Sequence, residues 1–335
     1  MPEFNLATVW ALLIAFAVFA YVVLDGFDLG IGILFPFISV GRERDTAMNS
    51  ITPVWDGNET WLVLGGAGLF AAFPLAYSLV LTALYAPVMA MLLGLVLRGV
   101  AFEFRWRGQR SRFVWDIAFA AGSLIAALAQ GIMLGALVQG VKVEGRVYAG
   151  GWFDWLTPFS VMTAIALAIG YALLGATWLI MKTHGDIQAR VYRYGAALTG
   201  LLMATIFIVS VWTPFIDPRY WARWFSWPFI LYTAPVPLFT LAAAAMLVRS
   251  LQARRQWQPF VATLIVFALC YVGLGIGLFP QIVPPDISIQ DAAAPDSSLA
   301  FLLWGAAVLI PMILAYTAHS YWVFRGKVDP EEAYH

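Results

Sequence analysis

Apolar residues form nine long runs along the chain, separated by short segments that contain charged residues, Pro or Gly. A bilayer core of about 30 Å requires about 20 apolar residues per helix, and each run is about that long. The first run is long enough to tilt or to end in a short interfacial segment. The pattern predicts nine membrane-spanning helices, at approximately 8–38, 53–74, 76–98, 114–138, 158–181, 194–214, 229–249, 258–280 and 298–324.

The positions of Lys and Arg test this count, because the segments between spans alternate between the two sides of a membrane. Fifteen of the 19 Lys and Arg residues lie on the side that follows the first, third, fifth, seventh and ninth spans. The other side has four, which are Lys142, Arg146, Arg219 and Arg223. Since basic residues concentrate in cytoplasmic loops, we expect the N-terminus outside and the C-terminus in the cytoplasm.

The composition also indicates a membrane protein: 62% of the residues are apolar and 11% are charged, against about 25% charged in ordinary soluble domains. The formal net charge is zero, which argues against nucleic acid as a partner. All loops are short and contain no P-loop, dinucleotide motif or EF-hand loop. We therefore expect a single transmembrane domain, 1–335, that folds in the lipid bilayer. The N-terminus has no basic region before its apolar run, which predicts a retained first span instead of a signal peptide.

Two acidic residues, Asp25 and Asp28, lie inside the first apolar run. A charged carboxylate at this depth costs about 3 kcal/mol or more, so its presence requires a function or a buried partner. The i, i+3 spacing places both acids on one helical face. Gly26, Gly30 and Gly32 allow close approach of another helix, so this face is expected to point into a helix bundle or at a partner.

A second pair of acids, Asp56 and Glu59, is bracketed by Trp55 and Trp61 at the start of the second span. The first span ends and the second begins on the same side, so the four acids are expected at similar depth, as protonatable groups that open to the cytoplasm. Arg98, at the end of the third span, is the expected counter-ion. A guanidinium keeps its charge when partly buried and can bridge two carboxylates.

Structural explanations remain open for each of these residues. Acids in the first turn of a helix interact favourably with the helix dipole, which alone accounts for Asp56 and Glu59. Asp25 and Asp28 can form a structural bridge to Arg98 or to a partner subunit. The two Trp residues are typical of an interfacial belt, although such aromatic rings can also grip a quinone.

The three histidines, His184, His319 and His335, do not form an obvious ligand pair. A b-type haem in a helix bundle commonly requires His or Met ligands on facing helices at matching depth. Only His319 lies in a predicted span, and a lone His near a helix end is more often interfacial. We therefore expect no haem in this chain. The single cysteine, Cys270, excludes a cysteine-based metal site, and no metal ligands are predicted.

Four segments resemble subunit II of the cytochrome bd-type quinol oxidases, a family that includes the cyanide-insensitive oxidases. They are VLDGFDLGIG at 23–32, NSITPVWDGNETWLV at 49–63, GLFPQIVPP at 277–285 and LIPMILAYTAHSYWVFRGKV at 309–328. The likeness therefore covers essentially the whole chain. The combination of DGFD and WDGNETWL at this separation is more specific than any short motif alone.

The resemblance implies an all-α subunit with two four-helix bundles and one peripheral helix, in the bacterial cytoplasmic (inner) membrane. It implies half of an electrogenic terminal oxidase that oxidises quinol and reduces dioxygen to water. Two b haems, one d haem and the quinol-oxidising loop then belong to the partner, subunit I. Subunit II is free of haem and can hold a structural quinone, for which Trp55 and Trp61 are our candidates. A small accessory single-span subunit is a further partner.

The resemblance also assigns roles by position. Asp56 would deliver protons toward the oxygen-reducing site of subunit I, and Asp25, Asp28, Glu59 and Arg98 would poise and stabilise this passage. Proton uptake from the cytoplasm, with proton release from quinol outside, would generate a membrane potential without a pump.

Two other classes of function remain open. A proton-coupled secondary transporter would use Asp25, Asp28 and Asp56 as coupling sites, and it predicts inverted repeats and helices interrupted near the midplane. The sequence shows no obvious repeat. A purely structural partner of subunit I is the other alternative, and it predicts normal turnover after Asp56→Asn.

Overall fold

The computed structural model describes residues 5–108 and 110–328, which form helices and two small hairpins. The long helices are α1 (Leu6–Leu34), α3 (Trp55–Ala72), α5 (Tyr85–Arg105), α6 (Arg112–Gln139), α7 (Pro158–Lys182), α8 (Gly185–Trp212), α11 (Pro235–Gln252), α12 (Gln258–Leu278) and α14 (Asp296–Val323). The short helices are α2 (Arg42–Asn49), α4 (Pro74–Ala83), α9 (Pro218–Phe225), α10 (Ile230–Thr233) and α13 (Ile289–Ala292). The antiparallel hairpins pair β1 (Val143–Glu144) with β2 (Val147–Tyr148) and β3 (Gln281–Val283) with β4 (Ile287–Ser288).

The described residues contain eight helical segments long and apolar enough to cross a membrane, or nine if the bent pair α3 and α4 forms one span. The predicted all-α membrane class is confirmed. α1 continues into a 3-10 turn at Phe35–Phe37, which is the short extension expected of the first span. We call the side on which α1 ends and α3 begins the arginine-rich side, because most Lys and Arg residues of the sequence fall there.

The third span differs from its predicted position at 76–98. The helix pair α3 and α4 is bent by 119° at the break between them. α4 ends at Ala83, and the next long helix, α5, begins at Tyr85. Pro87 has no N–H to donate to the carbonyl of Ala83, so a continuous helix would lose this hydrogen bond. A count of apolar residues does not detect such a break. As a consequence, Arg98 lies inside α5 and not at the end of its span.

Glycines of α1 allow this helix to lie at the centre of the bundle, where it packs against α3, α6 and α7. A Cβ atom on Gly30 would lie 1.8 Å from the carbonyl oxygen of Tyr171, and one on Gly32 would lie 2.0 Å from Ser123 Oγ. Gly26 also faces the Tyr171 ring, at 2.8 Å from such an atom. The acid-bearing face of α1 therefore points into the bundle, as its glycines predict.

α2 is a short polar helix that the apolar pattern did not predict, and buried ion pairs hold it in place. Asp116, at the start of α6, accepts hydrogen bonds from Arg44 Nη1 at 2.7 Å and Arg105 Nε at 2.6 Å. Arg105 also donates to Asp45 at 2.8 Å. These contacts join the segment between α1 and α3 to α5 and α6.

Candidate functional site: a buried charge cluster

Arg98 lies at the centre of a charge cluster formed by α1, α3 and α5. Its side chain is 0% exposed, and its Nη1 atom donates to Asp25 Oδ1 at 2.6 Å. Its Nη2 atom donates to Glu59 Oε1. Asp25 is fully buried, whereas the side chain of Glu59 is 29% exposed. The cluster therefore connects the surface of α3 with the interior of the bundle.

Asp28 lies one turn from Asp25 on α1 and has a different set of contacts. It is 0% exposed, and its Oδ2 atom accepts a hydrogen bond from Asn58 Nδ2 at 2.8 Å. Asn58 Oδ1 in turn accepts one from Tyr321 Oη at 2.9 Å. This chain of contacts joins α1 to α3 and α14.

Each of the two buried carboxylates has one oxygen atom without a hydrogen-bond partner in the described part of the chain. These atoms are Asp25 Oδ2 and Asp28 Oδ1. Arg98 Nε is also without a partner there. Buried polar atoms are nearly always hydrogen-bonded, so each of the two carboxylate oxygens is an open position for a proton or a water molecule, and Arg98 Nε–H can donate to a water molecule.

A chain of polar side chains continues from this cluster into the space between α6 and α7. Tyr171 Oη donates to Gln130 Oε1 at 2.6 Å, and Gln130 Nε2 donates to Tyr21 Oη at 2.9 Å. Tyr21 precedes Asp25 by one turn on the same face of α1. All these side chains are buried.

Asp56 lies apart from the cluster. It is exposed in the first turn of α3, and it has no hydrogen bond or ion pair with a described residue. The structure thus brings Asp25 and Glu59 together at Arg98, with Asp28 one turn away, and does not bring Asp56 into contact with them. Asp56 and Glu59 share a face of α3, because they are three residues apart.

The two Trp residues proposed to bind quinone pack against other side chains of this chain. Trp55 stacks on Phe102, with ring centroids 4.9 Å apart. Trp61 is 1% exposed and meets the Phe16 ring edge-on at 5.6 Å. A cleft between α3 and α14, lined by Gly57, Asn58 and Tyr316 among others but not by either Trp, has a volume of about 10 Å³, which suits a water molecule and not a quinone ring. Quinone binding by Trp55 and Trp61 stays a prediction.

The described histidines do not fit a haem site. His184 precedes α8 and His319 lies on α14, and both side chains are exposed. Neither offers a buried axial ligand of the kind that a haem in a helix bundle requires. His335 lies outside the described residues. The described residues also contain no group of three or more His, Cys, Asp or Glu that could hold a metal ion.

Several polar residues of the site were not predicted from the sequence, namely Tyr21, Asn58, Gln130, Tyr171 and Tyr321. A signal for Gln130 was present, because it is a polar residue inside the predicted span at 114–138, as Asp25 is inside the first. Asn58 lies within the WDGNETWL motif, but its partner Tyr321 is 263 residues away in sequence. Only the folded chain shows that contact.

Known proteins match this chain over nearly its whole length. Residues 6–324 match the family described as cytochrome bd terminal oxidase subunit II. The chain is 30% identical to the cytochrome bd-I ubiquinol oxidase subunit 2 of Escherichia coli K12, in an alignment that covers 97% of this chain and 95% of the relative. It is 27% identical to the cytochrome bd ubiquinol oxidase subunit 2 of Bacillus subtilis, over 98% of each chain.

A solved structure supports the fold. The chain is similar to one in the structure of the bd oxidase from Geobacillus thermodenitrificans, with a TM-score of 0.78 and 19% identity, covering 95% of this chain and 98% of the other. The resemblance noted in the DGFD and WDGNETWL motifs is confirmed by the family match. The chain belongs to the cytochrome bd terminal oxidase subunit II family.

Proposed function

We propose that this chain is the haem-free subunit II of a bd-type terminal oxidase that oxidises quinol and reduces dioxygen to water. Membership of the family makes it a subunit of a terminal quinol oxidase. In this proposal its buried carboxylates move protons from the cytoplasm toward the oxygen-reducing site of subunit I. Family membership favours this function over a proton-coupled transporter.

The observation that carries the proton-transfer proposal is the pair of open carboxylate oxygens. Arg98 holds one oxygen of Asp25 and Asn58 holds one oxygen of Asp28, while the second oxygen of each acid has no partner among the described residues. The held oxygen fixes the carboxylate in position. The open oxygen can accept a proton without breaking that contact.

The acids then form a series that differs in exposure. Asp56 is exposed, Glu59 is partly exposed, and Asp25 and Asp28 are fully buried. Arg98 stabilises whichever of its two partners is charged. An exposed Asp56 is available for exchange with water or with a neighbouring subunit, which suits a group that delivers protons out of this chain.

The remaining parts of the oxidase follow from the same proposal. Two b haems and one d haem in subunit I supply the redox chemistry with quinol and dioxygen. The chain lies in the bacterial inner membrane with its arginine-rich side facing the cytoplasm. Protons are then taken up from the cytoplasm while quinol releases protons outside, so the reaction is electrogenic. A structural quinone and a small accessory subunit complete the proposed complex.

A purely structural bridge is the second candidate role, and the contacts of Arg98 favour it. An arginine that pairs with acids from two other helices joins three helices whether or not a proton moves. The two roles differ in what happens when a carboxylate is replaced by its amide, which keeps the shape and one acceptor oxygen but cannot ionise.

The test is quinol oxidase turnover in the complex that contains this chain, with haem content measured on the same samples. A positioned proton-transfer group contributes about 10²–10⁴-fold to rate, so we expect Asp56→Asn and Glu59→Gln each to lower turnover at least about tenfold at normal haem content. Glu103→Gln is the matched control, because Glu103 is an acid on the same side whose side chain is 65% exposed.

Normal turnover in both variants, at normal haem content, would show that the acids have a structural role only. A loss of haem in parallel with turnover would support the structural bridge instead. Glu103→Gln should match the parent in every case.

A further inference from the structure

A groove runs along the last turns of α11 to the start of α12. It lies far in sequence from the charge cluster. It has a volume of about 480 Å³ and is lined by Ala242, Ala245, Met246, Arg249 and Gln258, among others. Ligand sites commonly have volumes of about 300–1,000 Å³. Small side chains on α11 leave this space open, and Arg249 is the charged residue in its lining.

The groove has an apolar part and a charged part at different depths. Ala242 precedes Arg249 by seven residues on α11, which places it about 10 Å deeper along the helix axis. Arg249 lies in the last turn of α11, on the arginine-rich side. Trp257, between the two helices, is 58% exposed, as is typical of Trp at a membrane interface.

The end of the groove carries a positive charge that no carboxylate among residues 5–108 and 110–328 neutralises. Arg249, Arg254 and Arg255 are exposed, and none of them pairs with a carboxylate in the described part of the chain. The sequence contains no Asp or Glu from residue 218 to residue 285. In contrast, Asp116 and Asp45 pair with the arginines at the ends of α5 and α6.

The backbone at the end of α11 is also unusual. Arg254 N–H donates to Leu251 O and Arg255 N–H donates to Ser250 O, which is the Schellman arrangement of a helix C-terminus. Arg254 occupies its left-handed position with φ of 52°, where Gly is normally found. The chain therefore keeps a guanidinium at a position where a side chain is unfavourable. Its guanidinium lies 4.8 Å from the centre of the Tyr192 ring.

We propose that this groove binds an anionic phospholipid from the leaflet on the arginine-rich side. Arg249 and Gln258 bind the phosphate at the interface, and Arg254 and Arg255 add positive potential beside it. One acyl chain lies against Ala242, Ala245 and Met246. Charge complementarity and the change from charged to apolar lining along the groove match the two parts of such a lipid.

The test is native mass spectrometry of the delipidated membrane complex that contains this chain. Dioleoylphosphatidylglycerol is titrated against dioleoylphosphatidylcholine, and inorganic phosphate is added as a competitor. A juxtamembrane arginine contributes about 1 kcal/mol to the binding of anionic lipid, which equals about fivefold in affinity. We therefore expect a saturable phosphatidylglycerol site whose affinity falls about fivefold in Arg249→Gln. Arg107→Gln, at an exposed arginine beyond α5, should leave it unchanged.

Two further variants separate lipid binding from folding. Arg254→Gly removes the charge and gives the left-handed position its preferred residue, so the complex should bind less phosphatidylglycerol while its thermal midpoint stays equal or rises. Ala245→Leu fills the groove from an exposed position and should block the site without a change in charge.

Equal affinity for the two lipids in the parent complex, or unchanged phosphatidylglycerol affinity in Arg249→Gln, would overturn the proposal. Displacement of the lipid by inorganic phosphate at equal concentration would show a free-anion site instead and would also overturn it. A polypeptide that stays bound over the groove and excludes the lipid would identify a protein interface and would likewise overturn the proposal. Because the readout is lipid binding and not turnover, these outcomes are independent of the proposed oxidase function.

Discussion

Arg98 holds two acids from different helices in a position with 0% exposure. Removal of one partner of a buried ion pair leaves the other charged in a medium of low polarity, which costs about 3–5 kcal/mol. The pair itself adds little net stability compared with apolar residues of the same shape. The retained charge is therefore better explained by a function or by specific helix pairing than by stability.

Replacement of Arg98 by Met tests this account at the residue scale. We expect Arg98→Met to lower the yield and the thermal midpoint of the complex strongly, because Asp25 and Glu59 lose their only cationic partner among the described residues. The triple variant Arg98→Met, Asp25→Asn, Glu59→Gln should recover a large part of this loss, since both carboxylates that Arg98 contacts are then uncharged. A triple variant no more stable than Arg98→Met alone would contradict the explanation.

Parts of the site were predictable from single residues, and others required the fold. Asp25 and Asp28 stand out because a charge in an apolar run has a large free-energy cost, and Arg98 follows as a cation on the same side. The contact of Asn58 with Tyr321 joins residues too far apart in sequence for spacing to reveal. Asp56 shares a face of α3 with Glu59 but lies about one turn nearer the start of the helix. Its separation from the cluster is therefore a difference in depth, and the apolar pattern defines depth only to about one helical turn.

Close packing of α1 against α7 is the feature at the scale of elements that places the acids inside the bundle. Gly30 and Gly175 face each other, and a Cβ on Gly175 would lie 2.5 Å from the backbone of Gly30. Sequence pattern identified the glycine face of α1 but not the partner helix. It also did not identify the break between α4 and α5, because the residues on both sides of Leu84 are apolar.

Replacement of Gly30 by Ala tests this packing. The added methyl group would overlap the carbonyl oxygen of Tyr171, so α1 and α7 would have to separate, at a cost of about 3 kcal/mol or more. We expect loss of most of the assembled complex, measured as its yield and thermal midpoint. Gly200→Ala on α8 is the matched control, because no atom lies within 4 Å of its added Cβ. The control should be neutral or stabilising by up to about 1 kcal/mol, and equal effects of the two substitutions would contradict the packing account.

The charge distribution of the whole molecule predicts its orientation in the membrane. Most basic residues follow the odd-numbered spans, including the end of α14. We expect a fluorescent protein fused after the last residue to fluoresce in the cytoplasm, and alkaline phosphatase at the same place to be inactive. The reverse pattern would show that the span count or the orientation is wrong.

The exposed apolar side chains of α14 require a cover of lipid or of another subunit. Phe301 and Trp304 of α14 are 78% and 80% exposed, which lipid or another subunit can cover and water cannot without a large free-energy cost. The buried acids belong to a chain whose described histidines do not fit a haem. In the proposed function, the haems of the oxidase reaction therefore belong to a second polypeptide.

Purification through a tag on this chain, followed by an optical haem spectrum and a quinol-dependent oxygen-consumption assay, tests this requirement most directly. We predict that a second polypeptide co-purifies, with b and d haem absorption and quinol oxidase activity in the same fraction. A well-folded, colourless and inactive chain that purifies alone from its native membrane would contradict the account.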